Sequence, residues 1–144
     1  MESGLYMGLK HAHSGLRWVV LILLVAAIAQ AFSKKDTLLD NGNRKLAMFA
    51  MISVHVQLLI GLVLYFISPL VVFGETTMSE TVTRFYTVEH LVGMLIAIAL
   101  ITVGHSKAKK SGSFKPVLTF YAIGLLVILA SIPWPFRDLG GSWF

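Results

Sequence analysis

Four long apolar stretches dominate this sequence of 144 residues and constrain its fold more than any other feature. Each has close to, or more than, the ~20 residues that a helix needs to cross the hydrocarbon core of a bilayer. Short connections between such helices favour an up-down arrangement. We therefore expect an all-α, polytopic membrane protein. Residues 1–144 should form a single four-helix transmembrane up-down bundle, with helices at about 16–32, 46–73, 85–104 and 117–134.

The composition agrees with an integral membrane protein. Hydrophobic residues make up 56% of the chain and charged residues 13%, whereas soluble domains are about a quarter charged. The first apolar stretch runs through Gln30, Ala31 and Phe32 into a charged loop. Because no small-residue cleavage site closes this stretch, we expect it to remain as a helix and not to be removed as a signal peptide.

The sequence contains no cysteine. A thiolate metal site, an iron–sulfur cluster and a covalently attached c-type haem all require cysteine, so these classes of site are excluded. Any metal must be bound by histidine, carboxylate or methionine side chains.

Basic residues indicate how the helices are oriented. Two loops, one after the first apolar stretch and one after the third, carry most of the positive charge: Lys34, Lys35, Arg44, Lys45, Lys107, Lys109, Lys110 and Lys115. By the positive-inside bias these loops are cytoplasmic and both termini are outside, in a bacterial cytoplasmic (inner) membrane. The net charge of +5 then reflects topology, and we expect no nucleic-acid partner.

Histidines lie within the apolar stretches, where hydrocarbon cannot solvate an imidazole and an ionisable group usually has a function. His13 precedes the first stretch and His90 lies just inside the third, from the same face of the membrane. At 1.5 Å per residue their levels differ by on the order of 10 Å or less. The first and third helices of an up-down bundle are diagonal neighbours, so inward-pointing imidazoles could hold a flat cofactor between them. This geometry predicts His13 and His90 as the two axial iron ligands of a non-covalent haem b.

Two further residues suit a haem site. Arg17 lies one turn below His13 and is predicted to pair with a haem propionate, although an interfacial arginine can also simply extend to the membrane surface. Gly93 lies one turn from His90 and removes side-chain bulk near it, as Gly15 does near His13. Small residues also pack membrane helices together, which is the alternative interpretation of both glycines.

His55 is harder to assign, because it lies near the middle of the second stretch and no other histidine shares its level. It is predicted to take part in cofactor binding, either as a group that hydrogen-bonds a ligand residue or a quinone, as a proton carrier, or as a haem ligand. The alternative is a buried histidine bonded to a neighbouring carbonyl or hydroxyl, for example of Ser53 or Thr102. His11 is expected at the interface, and His105 lies at a helix C-terminus, where a cation is favoured.

Four stretches of the sequence resemble a known family. They are KHAHSGLRW at 10–18, HVQLLIGL at 55–62, VEH at 88–90 and SIPWPF at 131–136. Together they are similar to small four-helix membrane proteins of Bacteroidetes-type bacteria that are often labelled cytochrome b. The layout also resembles one half of haem A synthase. The paired glutamate–histidine signature of that enzyme is not matched in the second and fourth helices, so its activity is not implied. The resemblance implies b-type haem and a redox role, but no reaction.

These observations favour a haem-binding membrane protein that transfers electrons and is not itself an enzyme. The sequence has no G-x-G-x-x-G motif and no soluble domain for nicotinamide or flavin, so electrons must come from a partner or a quinone. Besides the lipid bilayer, we expect a membrane-protein partner or a homo-oligomer, for example as a small subunit of a respiratory complex.

Three alternatives remain open from the sequence. The first is a haem- or quinone-dependent membrane enzyme or assembly factor, with His55 and Glu89 as proton groups. The second is a cofactor-free accessory subunit, in which the histidines are packing residues. The third is a tri-histidine copper or zinc site, which suits imidazole ligands but places the three side chains at different depths.

Overall fold

The computed structural model describes residues 3–144, which form four long helices and no strand. This confirms the prediction of an all-α fold for this part of the chain. A 3₁₀ turn follows the last helix, and the third helix contains one π-helical turn, Phe85–Glu89. The helices are α1 (Gly4–Ser33), α2 (Lys45–Ile67), α3 (Thr81–Ser111) and α4 (Lys115–Ser131).

The helices pack as a closed ring in chain order. α1 packs against α2 and α4, and α3 packs against α4, while α2 and α3 make the sparsest of the four contacts. α1 and α3 are therefore diagonal neighbours, as the up-down arrangement requires. The loose contact between α2 and α3 leaves space on one side of the ring.

Small residues allow the helices to approach closely. Ala27 of α1 and Ala50 of α2 are almost completely buried. A Cβ atom at Gly124 of α4 would lie 2.9 Å from the side chain of Ile101 in α3. Because lipid offers no hydrophobic driving force between helices, such close backbone packing is the usual way in which membrane helices associate.

The outer surface of the ring is apolar. α1, α2 and α3 are long and apolar enough to cross a membrane, and α4 is a shorter apolar helix of 17 residues. Large hydrophobic side chains are exposed on every helix, including Ile22, Leu59, Leu95 and Leu126. A helix that is apolar on all sides is typical of a membrane segment, and these surfaces suggest contact with a lipid bilayer.

Helix α1 begins well before the apolar stretch predicted at residue 16. The Ser3 hydroxyl accepts a hydrogen bond from the Tyr6 backbone N–H at 3.2 Å and caps the helix at Gly4. A hydroxyl at this position satisfies a backbone donor that has no partner within the helix. The polar residues before the apolar stretch are consequently part of α1.

The other helix ends also differ from the apolar stretches. α2 ends at Ile67, before the predicted residue 73, because Pro69 disfavours helical geometry in the residue before it and Ser68 is extended. α3 continues past residue 104 and ends at Ser111. The next residue, Gly112, adopts a left-handed conformation with φ 64°. Glycine is the residue that most readily ends a helix in this way.

The two basic loops lie side by side at one end of the ring. The Leu39 backbone N–H donates to the Gly112 carbonyl at 2.8 Å, and Leu38 forms an isolated antiparallel bridge with Ser113. The predicted placement of both loops on one side of the protein therefore agrees with the structure.

Candidate functional site

His13 and His90 face each other across the centre of the ring, near the end opposite to the basic loops. Their ring centres are 6.3 Å apart and the ring planes make an angle of 75°. Both residues are half-buried and line the same cavity. The structure thus brings together the two histidines that the sequence pairs, from diagonal helices.

The orientation of His90 is fixed by α4. Its Nδ1 lies 2.7 Å from the carbonyl oxygen of Ser131, the last residue of α4. Carbonyls in the last turn of a helix have no partner within that helix. Because a carbonyl only accepts, Nδ1 must carry the proton and donate it. In the neutral imidazole Nε2 is then unprotonated and free to bind a metal.

A π-helical turn immediately precedes His90. In this turn the Thr87 carbonyl accepts a hydrogen bond from the Tyr65 hydroxyl at 2.8 Å, and the Thr87 hydroxyl accepts from the Val72 backbone N–H at 3.1 Å. π-helical turns are rare and frequently occur at functional sites. The sequence analysis did not identify this turn or Tyr65, because a π turn has no periodic signature in the sequence.

His13 is held by α2. The Gln57 side-chain amide donates to the His13 carbonyl at 2.7 Å. A Cβ atom at Gly61 would lie only 3.1 Å from Cε1 of the imidazole. Residues 57, 61 and 65 are each one turn apart and lie on one face of α2. That face therefore positions His13 directly and, through Thr87, the segment that carries His90.

Two polar atoms at His13 have no hydrogen-bond partner among residues 3–144. They are Nδ1 of His13 and Oε1 of Gln57, and both are buried. A buried polar atom without a partner costs about 1–3 kcal/mol, so such an atom in a cavity is a candidate contact for a ligand or a ligating residue.

The cavity between the histidines has a volume of about 180 Å³ and a mostly apolar lining. It extends inward to Val54 and Ile98, and at the outer end Gly140, Gly141 and Ser142 contribute to its wall. The polar side chains that line it are Tyr6, Lys10, His13, Ser14, Arg17, Gln57, Tyr65, Ser68, Tyr86, His90 and Ser142. A concave apolar site with a few convergent polar groups is the usual form of a small-molecule or cofactor site.

Arg17 lies in the cavity wall and is only 8% exposed. One guanidinium nitrogen, Nη2, donates to the carbonyls of Ser142 and Trp143 at 2.9 and 2.7 Å. The guanidinium lies 5.5 Å and 5.4 Å from the ring centres of Trp18 and Trp134. Arg17 thus fixes the C-terminal segment across the outer end of the cavity. Its Nε has no partner among the described residues.

Gly93 lies behind His90 and does not line the cavity. A Cβ atom at this position would collide with the Ser131 side chain. The missing side chain therefore lets α4 approach α3 closely enough for the Ser131 carbonyl to reach His90. Gly15 has open space around it, since a Cβ atom there would have no neighbour within 4 Å.

His55 lies outside this cavity. Its Nδ1 is 2.8 Å from the Met51 carbonyl, and its Nε2 is 3.4 Å from the Thr102 hydroxyl. That hydroxyl also donates to the Ile98 carbonyl at 2.7 Å. These contacts correspond to the alternative interpretation of His55, in which it is a histidine bonded to a neighbouring carbonyl and to the Thr102 hydroxyl.

The remaining polar candidates are also separate from the cavity. His11 is exposed, and Glu89 makes an ion pair with Arg84 at 2.7 Å. Nδ1 of His105 is buried without a partner among residues 3–144, but His105 does not line the cavity. Within that same range, no three histidine, aspartate or glutamate side chains come together as a metal site.

Comparison of the chain with family models, with curated proteins and with solved structures gave no match in any of the three. The functional interpretation therefore depends on the residues of the cavity.

Proposed function

We propose that this chain is an integral membrane protein that holds one b-type haem between His13 and His90 and transfers electrons through it. The observation that carries the proposal is the 6.3 Å separation of the two ring centres. Two imidazoles that bind one iron through Nε2 place their ring centres about 6 Å apart, because a metal–imidazole bond is about 2 Å long. The two ring planes need not be parallel, since each ring can rotate about its own bond to the metal.

The hydrogen bond of His90 supports this role. His90 donates through Nδ1 to Ser131 and so presents an unprotonated Nε2. A metal-bound histidine usually donates its other nitrogen to an acceptor. His13 makes no such bond in the structure: its Nδ1 and the Oε1 of Gln57 are both buried without a partner among residues 3–144, although the Gln57 amide donates to the His13 carbonyl.

The bound haem would supply a reversible one-electron couple, with a potential set by its axial ligands and its surroundings. The protein's own contribution is to hold the two imidazoles in a fixed orientation and to surround the cavity with apolar side chains. Electrons would pass to or from a membrane-protein partner or a quinone.

A haem needs more room than the cavity of about 180 Å³ provides. The wall between α2 and α3 includes Leu58, Leu62 and Met94, whose side chains have several rotamers. This is also the helix pair with the sparsest contacts. A bound haem would therefore require the cavity to be wider on this side.

The proposed site lies in the outer half of a bacterial cytoplasmic membrane. The basic loops meet at the end of the ring that is opposite to His13 and His90, as the Leu39–Gly112 hydrogen bond requires. By the positive-inside bias that end is cytoplasmic and both termini are outside. The long apolar helices and their exposed hydrophobic side chains support insertion of the whole ring in the bilayer.

A visible spectrum of the detergent-purified protein tests the proposal. We expect a reduced-minus-oxidised spectrum and a pyridine haemochrome of a six-coordinate b-type haem. His13→Ala and His90→Ala should each lose the spectrum, whereas His55→Ala, a matched control outside the cavity, should keep it. A colourless protein that binds no added haem, or a spectrum that persists in both ligand variants, would overturn the proposal.

A further inference from the structure

One face of α1 gives the cavity a positive charge that no acidic residue within residues 3–144 balances. Lys10, Ser14 and Arg17 line the cavity on the same side as His13. Ser14 lies about one helical turn after Lys10, and Arg17 about two turns after it. No aspartate or glutamate is among the lining residues that the structure describes.

Arg17 is the more informative of the two cations because it is more than nine-tenths buried. Its described partners are two backbone carbonyls and two indole rings, none of which carries a full negative charge. Within residues 3–144 one ion pair forms, between Arg84 and Glu89, and neither of these residues lines the cavity. A buried charge without a counter-charge is costly, especially at membrane depth.

The guanidinium also has hydrogen-bonding capacity to spare. It carries five N–H donors, and its Nε donor is buried without a partner among the described residues. Within residues 3–144 Lys10 makes no ion pair either, and its Nζ lies 5.8 Å from the centre of the Tyr6 ring. Both side chains can therefore accept an anionic group from a ligand.

We propose that Lys10 and Arg17 bind the two carboxylates of the ligand in this cavity. The inference rests on the proposed function, which makes that ligand a haem with two propionates. Lys10 and Arg17 are seven residues apart on either side of His13, roughly 10 Å along the helix axis. One cation for each carboxylate would neutralise the cavity, and Arg17 would bind its carboxylate with charge-assisted hydrogen bonds.

A comparison of two porphyrins tests the inference. Apoprotein in detergent is titrated with iron protoporphyrin IX and with its dimethyl ester, which has no carboxylates, and binding is followed by the Soret absorbance. The affinity ratio of acid to ester is then measured for the wild type, Lys10→Gln, Arg17→Gln and Lys109→Gln. Lys109 is exposed at the other end of the protein, so its variant is the matched control.

We expect the acid-to-ester ratio to fall about tenfold or more in Arg17→Gln, in keeping with the strength of a charge-assisted hydrogen bond. Lys10→Gln should lower the ratio less, because Lys10 is less buried, and Lys109→Gln should leave it unchanged. Detergent partitioning affects the ratio equally in all four proteins. Arg17→Gln also loses the contacts to Ser142 and Trp143. A general loss of stability from this cause would weaken the binding of both porphyrins alike and leave the acid-to-ester ratio unchanged.

Three results would count against the inference in distinguishable ways. If both variants keep the wild-type ratio, the inference is wrong while the haem proposal stands. If instead phosphatidylglycerol raises the thermal stability of the wild type but not of the two variants, and the ratio is constant, the cations bind a lipid headgroup. If the wild type binds neither porphyrin, the proposed function fails, and the inference fails with it.

Discussion

At the scale of single residues, the two imidazoles are held in different ways. His90 has a strong directional contact to a backbone carbonyl. The His13 ring has no hydrogen bond at Nδ1 among the described residues and is positioned by the space that α2 leaves at Gly61. The ring of His13 is therefore the more easily displaced of the two by a change in packing.

Gly61→Val should displace the His13 ring. The Cβ atom alone would lie 3.1 Å from Cε1, and the valine methyl groups would need the volume that the ring occupies. Overpacking of this kind costs about 1–3 kcal/mol, so we expect haem affinity to fall roughly tenfold to a hundredfold. Titration of the apoprotein with haem measures the effect.

Gly15→Val is the matched control for this substitution. It makes the same chemical change on α1, two residues after His13, where a Cβ atom would have no neighbour within 4 Å. We expect its haem affinity to match that of the wild type. Equal affinities of the two variants would show that the space at Gly61 does not position His13.

At the scale of elements, α2 carries neither of the two proposed axial ligands, His13 and His90, but supports the segments that carry them. Gln57 and Gly61 contact His13, and Tyr65 hydrogen-bonds the π-helical turn before His90. Three residues on successive turns of one helix thus connect the two histidines, although α2 and α3 pack loosely elsewhere.

Tyr65→Phe should change the haem spectrum through this connection. The substitution removes only the hydroxyl that donates to the Thr87 carbonyl at 2.8 Å. We expect a loss of about 0.5–1.5 kcal/mol in unfolding free energy, together with a shift in the reduction potential of the haem as His90 changes its position. Thermal unfolding and a redox titration measure the two effects.

Tyr121→Phe separates this effect from a general loss of stability. Its hydroxyl donates to the Ala47 carbonyl at 2.7 Å, again across two helices, but Tyr121 does not line the cavity. We expect a similar loss of stability with no shift in potential. If both tyrosine variants shift the potential equally, the π-helical turn has no specific role in placing His90.

The sequence predicted the elements better than their ends and their contacts. Hydrophobicity alone locates four helices, since apolar stretches of this length have few other folds. It does not show that Ser3 starts α1 early, because a cap depends on local geometry. The pairing of His13 with His90 was predicted from depth and topology, whereas the roles of Gln57, Gly61 and Tyr65 depend on side-chain directions that no periodic pattern encodes. Likewise, Gly93 contacts α4 and not the cavity, which spacing alone cannot distinguish.

At the scale of the whole molecule, charge is distributed unevenly between the two ends. Lys34 and Lys35, just after α1, and Lys109 and Lys110, in the last turn of α3, lie at one end, and the histidine cavity lies towards the other. If the protein spans the membrane as we propose, an external electron donor or acceptor reaches the haem from the side opposite to the cytoplasm.

Labelling of single cysteines tests this orientation. The sequence has no cysteine, so each introduced cysteine is the only one. We expect a membrane-impermeant maleimide to label Ser79→Cys in intact cells and to label Ser111→Cys only after permeabilisation. Both side chains are exposed, at opposite ends of the protein, and only the basic end should face the cytoplasm. The reverse pattern would contradict the proposed topology.

The bond between His90 and Ser131 has a consequence for how this protein could evolve. The acceptor is a main-chain oxygen, so no substitution at position 131 removes it directly. The close approach of α4 instead depends on Gly93, where a Cβ atom would collide with the Ser131 side chain. In a set of homologues that share this site, position 131 should tolerate several small residues while position 93 should stay glycine. The residue whose identity preserves the hydrogen bond from His90 to the carbonyl oxygen at position 131 would then be Gly93, which takes no part in that bond.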